Sequence, residues 1–148
     1  MLEQGRGGAA IDSRSTVFIV DDDPIGVEPL RILLKWRLGV EAVVYDRPDV
    51  FVAAFDASRA GCLLLDLAMP EMSGPEVVEH LARRAVLPPT IIITSDGLTP
   101  GLARALRAGA FDYFVKPVDP ERLVASVREA LDLDRRRRTM SRLASAVH

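Results

Sequence analysis

Five polar side chains stand where apolar runs of this sequence stop. Thr16 to Val20 runs into Asp21 and Asp22, Cys62 to Leu65 into Asp66, Ile91 to Ile93 into Thr94, and Phe114 and Val115 into Lys116. A short apolar run without alternation, bounded by turn residues, is the pattern of a strand buried on both faces of a parallel sheet. Its carboxyl end is the edge at which open α/β sheets bind ligands. A lone carboxylate there is costly to bury without a partner, and taken alone Asp66 reads as a turn or cap residue before the next helix. Taken together, the five residues read differently. Three crowded carboxylates raise one another's pKa unless a cation stands among them. Oxygen ligands alone suit Mg²⁺, and a hydroxyl and an ammonium are donors to phosphoryl oxygens. This set fits transfer of a phosphoryl group to a carboxylate. Asp66 would attack, a metal at the acids would neutralise the phosphoryl oxygens, and Thr94 and Lys116 would hold them. Lys116 is notable for its type: only it and Lys35 are lysines among the 19 Lys and Arg residues.

The elements that must position these groups can be read along the chain. The β-branched and aromatic run 16–20 predicts a first strand. Asp23 fits an N-cap with Pro24 at the first helical position, opening a helix to Leu38 with Leu30, Leu33, Leu34 and Trp36 among its apolar positions. Pro29 removes an interior donor, so that helix is either kinked or starts late. Gly39 fits its stop. Residues 40–45 predict a second strand, and 47–58 a helix with Val50, Phe51, Ala54 and Phe55 on one face. Residues 61–66 form the third strand. Ser73, Gly74 and Pro75 open a helix to about Arg84, with Val77, Val78 and Leu81 inward. Strand 90–94 and helix 99–108 follow, the latter closed by Gly109. Strand 112–116 precedes Pro117, and Asp119 caps the last helix. Strands alternating with helices predict an α/β fold: a doubly wound, five-stranded parallel sheet with right-handed crossovers and helices on both faces. In order 2-1-3-4-5, the strand-end polar groups gather at the switch point between strands one and three.

The whole chain sets bounds. Its 148 residues, 49% apolar and 27% charged, suit one globular domain with tails. One cysteine, Cys62, excludes an internal disulfide and a cysteine-based metal site, and reads as a small buried hydrophobe. No stretch is long and apolar enough to span a membrane. The N-terminus lacks a signal-peptide pattern, so a cytoplasmic setting is the default. Residues 1–15 read as a disordered lead-in, 16–133 as the domain, and 134–148 as a basic C-terminal helix extension or linker.

The motifs Val20-Asp21-Asp22-Asp23, Leu65-Asp66-Leu67-Ala68-Met69-Pro70, Ile93-Thr94-Ser95 and Lys116-Pro117 resemble those of the receiver domain of two-component response regulators, a flavodoxin-like fold. The resemblance covers about 16–133. It implies that Asp66 is the phosphoacceptor, served by a histidine kinase or a histidine phosphotransfer protein. It implies Mg²⁺ held by Asp22 directly, by Asp21 mainly through water, by Asp66 and by the backbone carbonyl of Ala68. Thr94 would bind the phosphoryl group and shift toward it, Lys116 would pair with it, and the Lys116-Pro117 bond would be cis. Tyr113 would be an aromatic switch turning inward, on a face made of the fourth helix, fifth strand and fifth helix. Such a domain catalyses its own phosphorylation and dephosphorylation without being a turnover enzyme. Ala68, where the family often has a polar side chain, and Asp96, two past Thr94, leave the phosphoryl lifetime open.

Bland readings stand beside these. Asp23 reads as a cap rather than a ligand, Tyr113 equally as strand packing, and His80 and His148 as exposed and inert. Leu133, Met140 and Val147 repeat every seven residues with Leu143 joining them. This suits either a short coiled-coil seam, and so a homodimer, or a solvated basic helix. The arginines after Asp134 are weak grounds for nucleic-acid binding. DNA would be reached only through an output domain, which this sequence lacks, whether as a truncated or a stand-alone regulator. Two other functions compete. One is a phosphorylation-independent binding or dimerisation module. The other is a Mg²⁺-dependent phosphatase, which would want an acid two residues after Asp66, where Ala68 stands.

Overall fold

The computed structural model describes residues 14–67 and 73–147 of the 148. The elements run β1 (Thr16–Val20), α1 (Glu28–Leu38), β2 (Glu41–Tyr45), α2 (Pro48–Ala54), β3 (Gly61–Asp66), α3 (Gly74–Arg83), β4 (Thr90–Thr94), α4 (Pro100–Ala108), β5 (Asp112–Val115) and α5 (Pro120–Val147). All strand pairs are parallel, in the order β2-β1-β3-β4-β5. The doubly wound sheet expected from the sequence is therefore present.

Strand side chains alternate between two faces, and each face has its own core. Phe18, Val20, Leu63, Leu65 and Ile92 pack with Phe51, Val52 and Phe55 of the α2 region, Val77, Val78 and Leu81 of α3, and Leu102 and Ala105 of α4. Val17, Ile19, Cys62, Leu64 and Ile91 pack with Leu34 and Leu38 of α1, and with Leu123, Val124, Val127, Ala130 and Leu131 of α5. Cys62 is fully buried, and burial holds its thiol well above the usual range. Caps fix the helix starts. Ser73 and Glu76 form a reciprocal capping box on α3, Thr99 accepts from the Leu102 N–H, and Asp119 accepts from the Glu121 N–H.

Several expected details differ. Helix α1 starts late, at Glu28 with Pro29 in its first turn, where a missing N–H removes no helical bond. Asp23 therefore does not cap α1. Its carboxylate accepts instead from the Gly26 N–H at 3.0 Å, closing the turn that precedes the helix. Trp36 lies on the outer face of α1, 78% exposed, with Ile25 and Ile32 also exposed. Helix α2 ends at Ala54, and its inward face is Pro48, Phe51, Val52 and Phe55, whereas Val50 and Ala54 turn to solvent. Ser15, at the end of the expected lead-in, is buried; residues 1–13 lie outside the described residues. His80 is half-buried on α3, and His148 lies outside the described residues.

Helix α5 continues unbroken through Asp134 to Val147. Two residues anchor it beneath the sheet. Buried Asp134 accepts from the Gly61 N–H at 2.9 Å and from Arg138 Nε at 2.8 Å. The Arg138 guanidinium donates to the carbonyls of Ala57, Ser58 and Arg59. Gly61 itself is required, because φ is +155° and a Cβ would lie 1.8 Å from the Thr16 carbonyl oxygen.

The α2 assignment can be tested directly. Phe51→Ala removes a fully buried ring from the Phe18–Phe55 aromatic cluster and should cost about 3–5 kcal/mol. Val50→Ala should cost no more than about 0.5 kcal/mol. Urea unfolding of both variants measures the difference; equal losses would contradict this orientation of α2.

Candidate functional site

The acids converge because β1 and β3 are neighbours in register. Val20 lies opposite Leu65, so the next residues, Asp21 and Asp66, stand side by side at the carboxyl edge. Asp66 continues the Cys62–Leu64 face of β3, so alternation turns it toward α1 and α5. Carboxylate oxygens of Asp21, Asp22 and Asp66 all lie within 4.8 Å of one another. Lys116 follows β5 and places Nζ 3.6 Å from Asp66 Oδ2. The Asp66 side chain is 12% exposed and that of Lys116 43% exposed.

Backbone bonds hold the frame. The Asp21 N–H donates to the Tyr45 carbonyl, the Leu67 N–H to the Ile93 carbonyl, and the Lys116 N–H to the Thr94 carbonyl. The Asp21 carboxylate accepts from the Asp23 N–H at 2.8 Å. Gly74, read from sequence only as a helix opener, serves a packing need. A Cβ there would lie 2.7 Å from the Leu67 Cα and 3.0 Å from the Asp66 carbonyl oxygen. Helix α3 can thus start hard against the end of β3 only with glycine at this position.

The group opens into a cleft of about 640 Å³ between α1 and α5. Its polar rim is Asp21, Asp22, Asp23, Asp66 and Lys116, and its apolar floor includes Leu30, Leu33, Val118 and Leu123. No local pattern marks that floor, because its residues come from α1 and from the β5–α5 region, far apart in the chain. Burial is the main reason the Asp21 carboxyl is held above its ordinary pKa of 3.8. The Asp23 N–H opposes the shift, and the neighbouring Asp66 charge adds to it less strongly. Crowding therefore contributes as expected, but desolvation leads. The donor set is oxygen only, with no histidine or cysteine in the cluster, which fits a hard divalent cation such as Mg²⁺.

The other expected site residues are distributed around this group. Thr94, 4% exposed, ends β4 one step beyond Ile93, which pairs with Asp66. Alternation places it with Ile92 on the opposite sheet face, and it does not line the cleft. Its hydroxyl accepts from the Asp96 N–H at 3.2 Å. Tyr113 on β5 is 42% exposed, beside exposed Phe111 and Val115. The Lys116-Pro117 peptide is cis. Ala68 lies outside the described residues.

The profile of the response regulator receiver domain matches residues 17–128. The chain belongs to the response regulator receiver family. Receiver domains are signalling modules of two-component systems, not turnover enzymes, and in general they bind Mg²⁺ at an acidic pocket. The receiver is 37% identical over 122 residues to the response regulator protein TodT of Pseudomonas putida, covering 82% of this chain and 53% of that protein. It is 34% identical over 118 residues to the transcriptional regulatory protein FixJ of Rhizobium meliloti, covering 78% and 56%. The chain thus spans about half the length of these curated relatives. Among solved structures, the response regulator StyR superposes with a TM-score of 0.83 at 34% identity, covering 90% of this chain and 67% of that one. The FixJ N-terminal domain superposes with a TM-score of 0.73 at 31% identity, covering 80% and 94%. No helix of the described residues is long and apolar enough to cross a membrane.

The Asp21 shift has a sign that can be measured on metal-free protein. Folding raises this pKa, so the ionised carboxylate weakens the fold. The penalty is absent below the unfolded value of 3.8, where both states are protonated, and complete above the folded value. Asp21→Asn should therefore raise the melting temperature near neutral pH, and the gain should shrink to nothing as pH falls below 3.8. A gain that grows on acidification would contradict the assignment.

Proposed function

We propose that this receiver is a phosphorylation switch in which Asp66 takes a phosphoryl group from a histidine kinase or histidine phosphotransfer protein. The observation that carries this reading is the convergence of Asp21, Asp22 and Asp66 within 4.8 Å, with Lys116 Nζ 3.6 Å from Asp66. A carboxylate oxygen of Asp66 attacks phosphorus, the P–O bond forms as the P–N bond breaks, and the imidazole leaves with the electron pair. Asp66 is oriented by the end of β3 and lines the cleft, where its attacking oxygen meets the donor. The Lys116 ammonium, already beside it, takes up charge on the phosphoryl oxygens. Asp21, Asp22 and Asp66, with the Ala68 carbonyl, are the residues that would hold Mg²⁺. When bound, that ion supplies positive charge against the phosphoryl oxygens.

Docking of the donor is supported by an apolar strip beside the cleft. Pro29 and Leu33 line both the cleft and a shallow groove with Ile25, Ile32 and Trp36. Output is assigned to the face of α4, β5 and α5. Thr94 and Tyr113 both belong to that side, and Tyr113 lies in a groove with Val115 and Arg122. Turning the Thr94 hydroxyl toward a new phosphoryl group leaves space on that side, into which the Tyr113 ring moves. Contact with DNA is assigned to an output domain outside 16–133, since the relatives are about twice as long and one is named as a transcriptional regulator. We place the end of the receiver beyond Arg138, since Asp134 and Arg138 are tied to its body, and the protein in the cytoplasm.

Intact-mass measurement after incubation with phosphoramidate and Mg²⁺ tests the core of this reading. The wild type should gain one phosphoryl group, Asp66→Asn should gain none, and Asp22→Asn should lose the dependence on Mg²⁺. An undiminished gain in Asp66→Asn would sink the proposal. A wild type that binds its partners unchanged without ever taking phosphate would favour a phosphorylation-independent module. A second test concerns Lys116→Ala, which should slow phosphorylation while leaving Mg²⁺ affinity intact or higher. Loss of a cation beside three acids cannot weaken cation binding by charge alone.

A further inference from the structure

Helix α5 extends well past residue 128, where the receiver match stops. Residues 140–146 are all exposed, although Met140 (66% exposed) and Leu143 (57% exposed) are apolar. The Asp134–Arg138 anchor decides which way these side chains face. Arg138 is held against the carbonyls of Ala57, Ser58 and Arg59, so its side of the helix is committed to the body of the domain. At about 100° per residue, Met140 and Leu143 stand roughly 200° and 140° around the helix from Arg138. The apolar stripe therefore points away from its own domain, and the anchored helix cannot roll to bury it.

We propose that this stripe is the seam of a parallel two-stranded coiled coil formed with a second copy of the same chain. Leu133, Met140 and Val147 occupy successive a positions, and Leu143 occupies the d position between the last two. The charges next to the seam select the occupant and its direction. With a at 133 and 140, Asp132 falls at g and Arg137 at the following e, the two positions that face each other across a parallel pair. Arg137 makes no ion pair among the described residues, whereas Asp132 already sits between Arg135 and Arg136. A two-fold axis along the seam gives two equivalent Asp132–Arg137 contacts and closes the assembly as a dimer. Arg136 at the remaining d position limits the apolar seam to its C-terminal part, so the association is weak and reversible. The proposal does not depend on phosphorylation of Asp66.

Engineered thiols test it cleanly, because the only natural cysteine, Cys62, is fully buried. In a thiol–disulfide buffer, Leu143→Cys should form a disulfide-linked dimer about tenfold more readily than Ser141→Cys, which lies off the seam. Adding Arg137→Glu should lower that yield about fivefold. Adding Asp132→Arg to the charge-reversed chain should restore it. Circular dichroism checks that every variant keeps its helix. Equal yields at 143 and 141, no cross-link at either, or a yield that the double reversal fails to restore would each overturn the parallel seam.

Discussion

Three carboxylates within the reach of a single cation repel one another, and the sheet gives them no means of separating. Asp21 and Asp22 follow β1, Asp66 ends β3, and those two strands are hydrogen-bonded neighbours because the strand order reverses there. Moving the acids apart would break the ladder that builds the core. Burial raises the Asp21 carboxyl above its ordinary range, a sign that the site is held against local preference. Lys116 beside Asp66 offsets part of the repulsion. Such a placement weakens the metal-free fold and makes the edge receptive to positive charge, the familiar tension between stability and a working site.

The same alternation that defines the two cores also divides the site between two faces. Asp66 shares the face of Cys62 and Leu64, toward α1 and α5, whereas Thr94 shares the face of Ile92, toward α4. One residue in register separates the two, since Asp66 pairs with Ile93. An event at the carboxylate is therefore one peptide away from the opposite face of the sheet. This closeness is a property of the backbone, independent of which partner reads the change.

Much of this arrangement was legible because it is local or periodic. Unalternating aliphatic runs marked the inner strands, and the polar residue after each run marked the edge. Ser73 and Thr99 marked helix starts, whereas the Glu76 half of the α3 box and the capping role of Thr99 emerge only in the fold. What escaped was set by contacts between distant segments or by neighbouring alternatives of similar plausibility. Pro29 allowed a kink or a late start, and only packing of Leu34 and Leu38 selected the latter. A helical face drawn through Phe51, Ala54 and Phe55 also takes in Val50, whereas the buried face runs from Pro48 by steps of three and four to Phe51 and Val52. Asp23 carries a capping side chain, but the chain turns once more before the helix, and its carboxylate closes that turn. Gly74 looked like punctuation, though its missing Cβ is what lets α3 meet β3. The Asp134 contact with Gly61 spans 73 residues and leaves no trace in any short window.

That last contact gives the C-terminal helix a mechanical character. A rod of 28 residues, about 42 Å long, begins beside the acid edge and is bolted at Asp134 and Arg138 to the start of β3, the opposite pole of the sheet. With a fulcrum there, the rod cannot slide along its axis without tearing the bolt. Residues beyond Arg138 therefore continue in a direction that the body of the domain sets.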